Sequence, residues 1–300
     1  MKKFLNAAVV SLLALTICPP LSAQNYDKEI KKLEFEVSGG LAPIHQHDIF
    51  YSRIYGISSF IDQYADFYQL TVETTGDEVK KIDKLIPLNL SLNYNFSPTW
   101  CLKIGFEYSS GKAFTARDHT VNWTDTAETH NYRYDYRLSS LMPYVGVESR
   151  FSSFGVYANI GFNITDFSFT QDFEYAEGAN RVTTQDTYDV KGKAAAVTIG
   201  GKYMIKLGNK ARLFLKIEYL YLKINSFAGE KKSSVETSTG PNLSESVEGT
   251  IYSYEINPYG SGWFEFWDLY AAEPENRELR NISKMGLDLS CIRVMIGFSF

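Results

Sequence analysis

The nine residues from Ile292 to Phe300 constrain the fold more than any other stretch. Ile292, Val294, Ile296, Phe298 and Phe300 fall on one side of an extended strand, with Arg293, Met295, Gly297 and Ser299 on the other. A strand with one unbroken apolar edge needs an apolar surrounding on that edge. The closing strand of an antiparallel barrel in a lipid membrane meets that need, because its apolar stripe faces hydrocarbon.

The same alternation recurs along the chain. A first strand runs over about 32–44, with Leu33, Phe35, Val37 and Leu41 against Glu34, Glu36 and Ser38. Ile86, Leu88, Leu90, Leu92, Tyr94 and Phe96 form a second apolar edge, and the Ser97-Pro98-Thr99 turn leads to a third, Trp100 to Tyr108. The fourth strand, about 132–151, changes parity. Tyr132, Tyr134, Tyr136 and Leu138 share one side, and Leu141, Val145, Val147 and Phe151 the other, so a bulge near Ser139-Ser140 is expected. Strands over about 154–164, 188–207, 213–221 and 284–300 complete a set of eight. Short connections alternate with long segments at 45–83, 111–131, 170–189 and 225–283. That alternation predicts an all-β, antiparallel up-and-down transmembrane barrel of eight strands, with short periplasmic turns and long extracellular loops. Ten strands remain open if 49–70 or 251–269 adds a hairpin.

Composition agrees with strands in a membrane rather than helices. Mean hydropathy is −0.21. No apolar run after the N-terminus reaches the roughly 18 residues of a spanning helix. Aromatic residues make 15% of the chain, which suits strands and interfacial girdles. A net charge of −5 offers no basic footprint for nucleic acid.

Met1-Lys2-Lys3 and the apolar run to Cys18 read as a secretory signal peptide over 1–23, cut after Ala23. A short periplasmic segment over 24–31 and the barrel domain over 32–300 follow. Removal of the signal leaves Cys101 and Cys291, expected as buried free thiols because they fall on non-adjacent strands.

Alternation alone does not say which edge faces out. Outward apolar edges are favoured by the terminal stripe and by two aromatic groupings. Phe96, Trp100, Phe151, Phe154, Phe298 and Phe300 lie beside the short turns. Tyr108, Tyr132, Tyr134, Tyr219 and Tyr221 lie near the long loops. The opposite edge carries Glu34, Glu36, Lys103, Glu107, Lys202, Lys206, Arg212, Lys216, Glu218 and Arg293. Eight strands leave a lumen that side chains can fill. Buried ions must pair, so a structural network of these charges is expected to close it.

The signal ending Ser22-Ala23-Gln24, the hairpin from Ile86-Pro87-Leu88 to Tyr94-Asn95-Phe96, and the terminal Gly297-Phe298-Ser299-Phe300 resemble the OmpA/OmpX-like superfamily of small outer-membrane barrels. More narrowly, they resemble the "porin family" β-barrel domain of Gram-negative bacteria. The resemblance spans about 32–300. It implies an outer-membrane architecture and a structural or adhesive role at the cell surface. It also implies assembly by the barrel-assembly machinery, for which Ile296, Phe298 and Phe300 are the candidate signal.

Candidate chemistry is sparse. His45 and His47 share a face beside Asp48, a conceivable metal pair, but loop histidines are usually solvated. With these three, Asp118, His119, Asp125 and Asp135 put acids and an imidazole at the rim, as a barrel hydrolase would need, without a recognisable active-site motif; His130 is the fourth histidine in or beside the first two long segments. No catalytic residue, metal or cofactor is assigned. Residues 51–70 and 252–270 are rich in aromatics and predict either a self-packed cap or a surface for an extracellular ligand. Residues 230–248 read as a mobile polar tip. The expected role is structural or interaction-based at the cell surface, with lipid as the surrounding partner. A small-solute channel is the alternative, and a rim hydrolase the third reading.

Overall fold

A computed structural model describes residues 33–44, 57, 60–78, 80–123, 126–208, 211–257, 263–276 and 278–300. The expected signal (1–23) and the segment 24–31 lie outside the described residues, as do Lys32, His45, His47, Asp48 and Asp125. The strands, in chain order, are β1 (Leu33–Pro43), β2 (Thr71–Gly76), β3 (Lys84–Asn95), β4 (Trp100–Asn122), β5 (Ala127–Phe151), β6 (Phe154–Glu177) and β7 (Asn180–Lys206). They continue with β8 (Arg212–Ile224), β9 (Phe227–Thr237), β10 (Leu243–Ile256), β11 (Phe264–Tyr270), β12 (Arg280–Lys284), β13 (Leu287–Asp288) and β14 (Cys291–Ser299).

Eight of these make a ring-like antiparallel sheet, in the order β1–β3–β4–β5–β6–β7–β8–β14 and back to β1. At the seam, β14 pairs with β8 from Cys291↔Leu220 to Ser299↔Arg212 and with β1 from Leu41↔Val294 to Glu36↔Ser299. Phe300 continues the seam, its N–H donating to the Phe35 carbonyl at 2.9 Å. Strict alternation of β14 between buried and exposed residues follows from period two against a filled interior. The turns at one end are short for local reasons. Ser97 Oγ accepts the Trp100 N–H at 2.9 Å, and Gly208 sits at φ +97°, where a Cβ would be strained. The extra hairpin β10–β11 joins β9 rather than entering the ring.

Above the ring the long segments are not loops. β4, β5, β6 and β7 run for 23, 25, 24 and 27 residues, against 9 for β14. They continue as a tall wall. β7 changes partner on the way up, pairing with β8 as far as Ala196 and with β9 from Gly192 to Val182. β9, β10 and β11 then extend the wall on one side, and β2 extends it from β4 on the other. The stretch read as a polar tip, 230–248, forms the β9–β10 hairpin. Its strands pair because β8 leaves β7 with an open edge, and unpaired backbone groups there need a strand.

The parity change in β5 has a different cause from the one expected. The β4–β5 register runs unbroken from Trp100↔Ser149 to Asn122↔Ala127, and Ser139 and Ser140 pair normally with Ser110 and Ser109. No bulge is present. Even-numbered residues of β5 face inward throughout, and their chemistry switches from ionic to apolar halfway up. Tyr132 and Tyr134, expected in an exposed girdle, are only 7% and 1% exposed and belong to the inner core of the wall.

That core stacks β5, β6, β7, β9, β10 and β11. Trp267 sits at its centre, 5.2 Å from both the Phe169 and Tyr188 rings and 6.0 Å from Phe167. A helix over 60–68 packs Ile61 and Ala65, one turn apart, against it. The helix stops at Gln69 (φ 59°), with the Leu70 N–H donating to Ala65 O at 2.8 Å and the Gln69 N–H to Asp66 O at 3.2 Å, a Schellman cap. Among the described residues of the two aromatic-rich segments, Ile61, Tyr252, Phe264, Trp267 and Leu269 are buried, while Phe67, Tyr68 and Trp263 are exposed.

Candidate functional site: the ionic interior and the outer wall

The interior of the ring is built in tiers from side chains of inward parity. In the tier nearest the short turns, Glu34 of β1 accepts Arg150 Nη1 at 2.8 Å and Arg212 Nη1 at 3.4 Å, and Arg150 Nε reaches Glu148 at 2.7 Å. In the middle tier, Glu36 and Glu148 share Lys103, at 3.1 and 2.9 Å, and Lys202, which contacts Glu148 at 2.7 Å and also bonds Glu36. Lys216 lies 3.6 Å from Glu36 and donates to Ser38 Oγ at 3.3 Å. In the third tier, Arg293 bridges Glu107 and Glu218, and the Tyr157 hydroxyl donates to Glu218. Asn89, which receives Tyr144 at 2.9 Å, connects to Glu107. Glu34, Glu36, Lys103, Lys202, Arg212 and Lys216 thus meet in one ion-pair cluster, and Glu107, Glu218 and Arg293 in a second, with the Tyr157 ring between Lys103 and Glu218. Lys206, grouped with them by parity, is exposed at the end of β7.

Glu148 and Arg150 are members that sequence reasoning missed. Their signal was present in the alternation Val147-Glu148-Ser149-Arg150-Phe151, which puts both opposite the apolar edge. With them the interior balances. Glu34, Glu36, Glu107, Glu148 and Glu218 face Lys103, Arg150, Lys202, Lys216 and Arg293, all buried, with Arg212 half-buried at the mouth. Such balance is required, since an unpaired buried ion costs several kcal/mol. Aromatic rings fill the gaps: Lys103 Nζ lies 4.8 Å from the Tyr157 ring centre and Lys216 Nζ 4.7 Å from that of Phe214. Close packing also sets backbone requirements. A Cβ at Gly105 would come within 2.7 Å of the Tyr144 ring.

Above the third tier the interior changes character. Ser109, Ser140 and Asn163 border a cavity of about 10 Å³, room for roughly one water, with Leu85, Leu220, Leu222 and Leu289 on its other side. The apolar core of the wall begins there.

The histidine–carboxylate rim is dispersed. His119 of β4 and His130 of β5 lie directly opposite each other, facing inward, while Asp118 and Asp135 lie on the outward face. His119 Nδ1 is 3.0 Å from Thr74 Oγ1, and burial, aided by Arg117, pushes its pKa down to about 4. Burial also lowers His130, against the opposing pull of Glu128 at 3.5 Å. Both imidazoles are therefore neutral near pH 7. Among the described residues, no group of three His, Cys, Asp or Glu side chains is placed to hold a metal. Cys101 and Cys291 are buried free thiols.

No protein-family model matches the sequence, and no curated protein does. Among solved structures, the chain is similar to the outer membrane protein OprG of Pseudomonas aeruginosa. The two are 14% identical over 90% of this chain and 95% of that one, with a TM-score of 0.32. OmpT, an outer membrane protein of Vibrio cholerae, matches at 9% identity over 90% of this chain and 99% of that one, with a TM-score of 0.13. Likeness at these scores carries no argument, and the fold rests on the pairings of this chain.

The exterior of the ring is the inverse of its interior. Leu33, Phe35, Ile86, Leu88, Ile104, Phe106, Val145, Ile160, Phe162, Ile205, Ile217, Ile292 and Ile296 are all exposed and represent all eight ring strands. Together with Phe96, Phe151, Phe154, Phe298 and Phe300 at one margin and Tyr108 and Tyr219 at the other, they form a continuous apolar band. Beyond it, the outward face of the wall turns polar, with Lys112, Arg133, Asp135 and Arg137.

Proposed function

We propose that the chain is a bacterial outer-membrane β-barrel of eight strands, exported through its N-terminal signal. Its charged interior closes the lumen, and its outer wall serves a structural or surface-interaction role. The observation that carries this reading is the apolar band. Monomeric soluble proteins rarely expose a contiguous apolar patch beyond a few hundred Å², and a band around every strand of a ring has hydrocarbon as its natural solvent. The 9 residues of β14 match the roughly 9–11 that a tilted strand needs to cross. The long strands leave the band on one side only, which orients the wall toward the exterior and the short turns toward the periplasm.

The packed ions support the structural reading over a small-solute porin: among the described residues, tiers of paired side chains fill the ring and border a cavity of about 10 Å³. The test has two parts. The purified mature chain should insert into lipid vesicles and run as a heat-modifiable band. A chain that remains monomeric and folded in detergent-free buffer overturns the reading. In planar bilayers the inserted protein should give no steady conductance steps, and reproducible steps would make it a channel.

Assembly belongs to the same proposal. Ile296, Phe298 and Phe300 lie on the strand that joins both ends of the ring, and the Phe298 and Phe300 rings stack at 6.4 Å. Deleting Phe300 should lower the yield of inserted protein in cells several-fold, measured as heat-modifiable material. An unchanged yield removes Phe300 from the assembly signal.

A further inference from the structure

On the outward face of the wall, just above the apolar band, three cations stand on three adjacent strands. Lys112 of β4 lies directly opposite Arg137 of β5. Lys84 of β3 lies two residues beyond Ile86, where the β3–β4 ladder ends at Ser110, so continuing the same register sets it level with Lys112. All three side chains are exposed. Adjacent strands are about 5 Å apart, so the row spans roughly 10 Å.

Like charges directly opposed across strands are unfavourable. Some outward cations on this wall are paired, Lys191 with Asp166 at 3.1 Å, Lys223 with Asp288 at 3.4 Å and Arg181 with Glu174 at 2.6 Å. Lys84, Lys112 and Arg137 form no ion pair with any described residue. Asp135, two residues along β5 from Arg137, lies across from Phe114 and Thr170 rather than from a cation. One step below the row stand Ile86, Ser110 and Ser139, and one step further Leu88, Tyr108 and Leu141, of which Ile86, Leu88, Tyr108 and Leu141 are exposed as the margin of the apolar band. The arrangement therefore offers an apolar surface below and uncompensated positive charge above, about 10 Å higher along tilted strands.

We propose that Lys84, Lys112 and Arg137 form a docking patch for the phosphates of a phosphorylated lipid headgroup, whose acyl chains lie along Ile86, Tyr108 and Leu141. The Arg137 guanidinium supplies a planar fork for phosphate oxygens, and the two lysines supply point charges on either strand. The proposal rests on the membrane reading above, because the band must be the lipid-facing zone for the patch to sit at headgroup height.

The test uses the purified full chain in neutral detergent, incubated with bisphosphorylated lipid A, with the same lipid stripped of its phosphates, or with inorganic phosphate. Lipid retained after washing is counted by native mass spectrometry. Wild type should retain the bisphosphorylated lipid and not the stripped one, and inorganic phosphate should compete only weakly. The K84S/K112S/R137S variant should retain at least about tenfold less, while K84R/K112R/R137K should retain it as wild type does. Heat-modifiable migration of each variant reports that the ring is intact. Equal retention by the serine variant, equal retention of the stripped lipid, or equally tight inorganic phosphate overturns the patch while leaving the membrane reading standing. Failure of wild type to insert into vesicles overturns both.

Discussion

The ring and the wall above it are one sheet with opposite insides. In the ring, inward residues are Glu36, Lys103, Glu148, Lys202 and Arg293, and outward residues are Ile104, Val145 and Ile292. In the wall, inward residues are Tyr134, Leu138, Phe169 and Trp267, and outward residues are Lys112, Arg133 and Asp135. β5 passes through both zones without a register shift. The backbone periodicity is thus common to both, and the surrounding solvent decides which chemistry faces it. A narrow polar interior with a greasy exterior, and a greasy interior with a polar exterior, are two solutions to the same alternation.

The largest expected effect tests the polar interior. Arg293→Met strands Glu107 and Glu218 without their cation and should destabilise the ring by about 3–5 kcal/mol, read as a lower midpoint of heat-modifiable unfolding. An unchanged midpoint would mean that the tiers tolerate an unpaired carboxylate pair and are not a closed network. In the wall the corresponding change is Trp267→Ala, with a cost of about 3–5 kcal/mol for a large buried aromatic. Its signature should differ: protease sensitivity within 227–270 rises while the heat-modifiable band of the ring persists. Loss of both together would show that ring and wall fold as a single unit.

The exteriors can be contrasted with one cation. Val145→Arg places a charge in the apolar band and should cost about 2–4 kcal/mol in bilayers. Ser139→Arg, six residues up the same face, should cost less than about 1 kcal/mol, and equal penalties would erase the boundary drawn here. The smallest effect is in pH. His119 is lowered to about 4 from an ordinary 6.5, so the unfolded chain binds the proton more readily than the folded one. Stability of the wall is then full above about pH 6.5 and declines as pH falls toward 4. His119→Leu should flatten that decline in a hydrogen-exchange or proteolysis titration, and an unchanged slope would assign it to other groups.

Much of the ring was legible before any coordinates. The alternation in residues 86–108 and 292–300 specified strands, faces and the inward charges, because period two is a local property of the backbone. The wall was not legible in the same way. Segments 111–131 and 170–189 read as loops because the expected strand ended where the apolar edge ended. In fact the outward edge only became polar, and the inward edge carried Thr115, His119, Val121 and Phe173 on. The hairpin over 230–248 lacked a signal of its own, since Ser, Thr, Glu and Lys form a strand there only against the open edge of β7.

The amino-acid order by itself settled that these ribbons have two unlike edges, where the short turns fall, and most of the ions that share an edge. Only the tertiary structure decided which ions meet, how Glu148 and Arg150 complete the balance, and where the interior passes from charge to aromatic rings. Edge chemistry is written residue by residue, whereas partners come from strands more than a hundred positions apart, such as Glu34 with Arg150 and Arg293 with Glu107, and only ring-wide pairing sets that meeting.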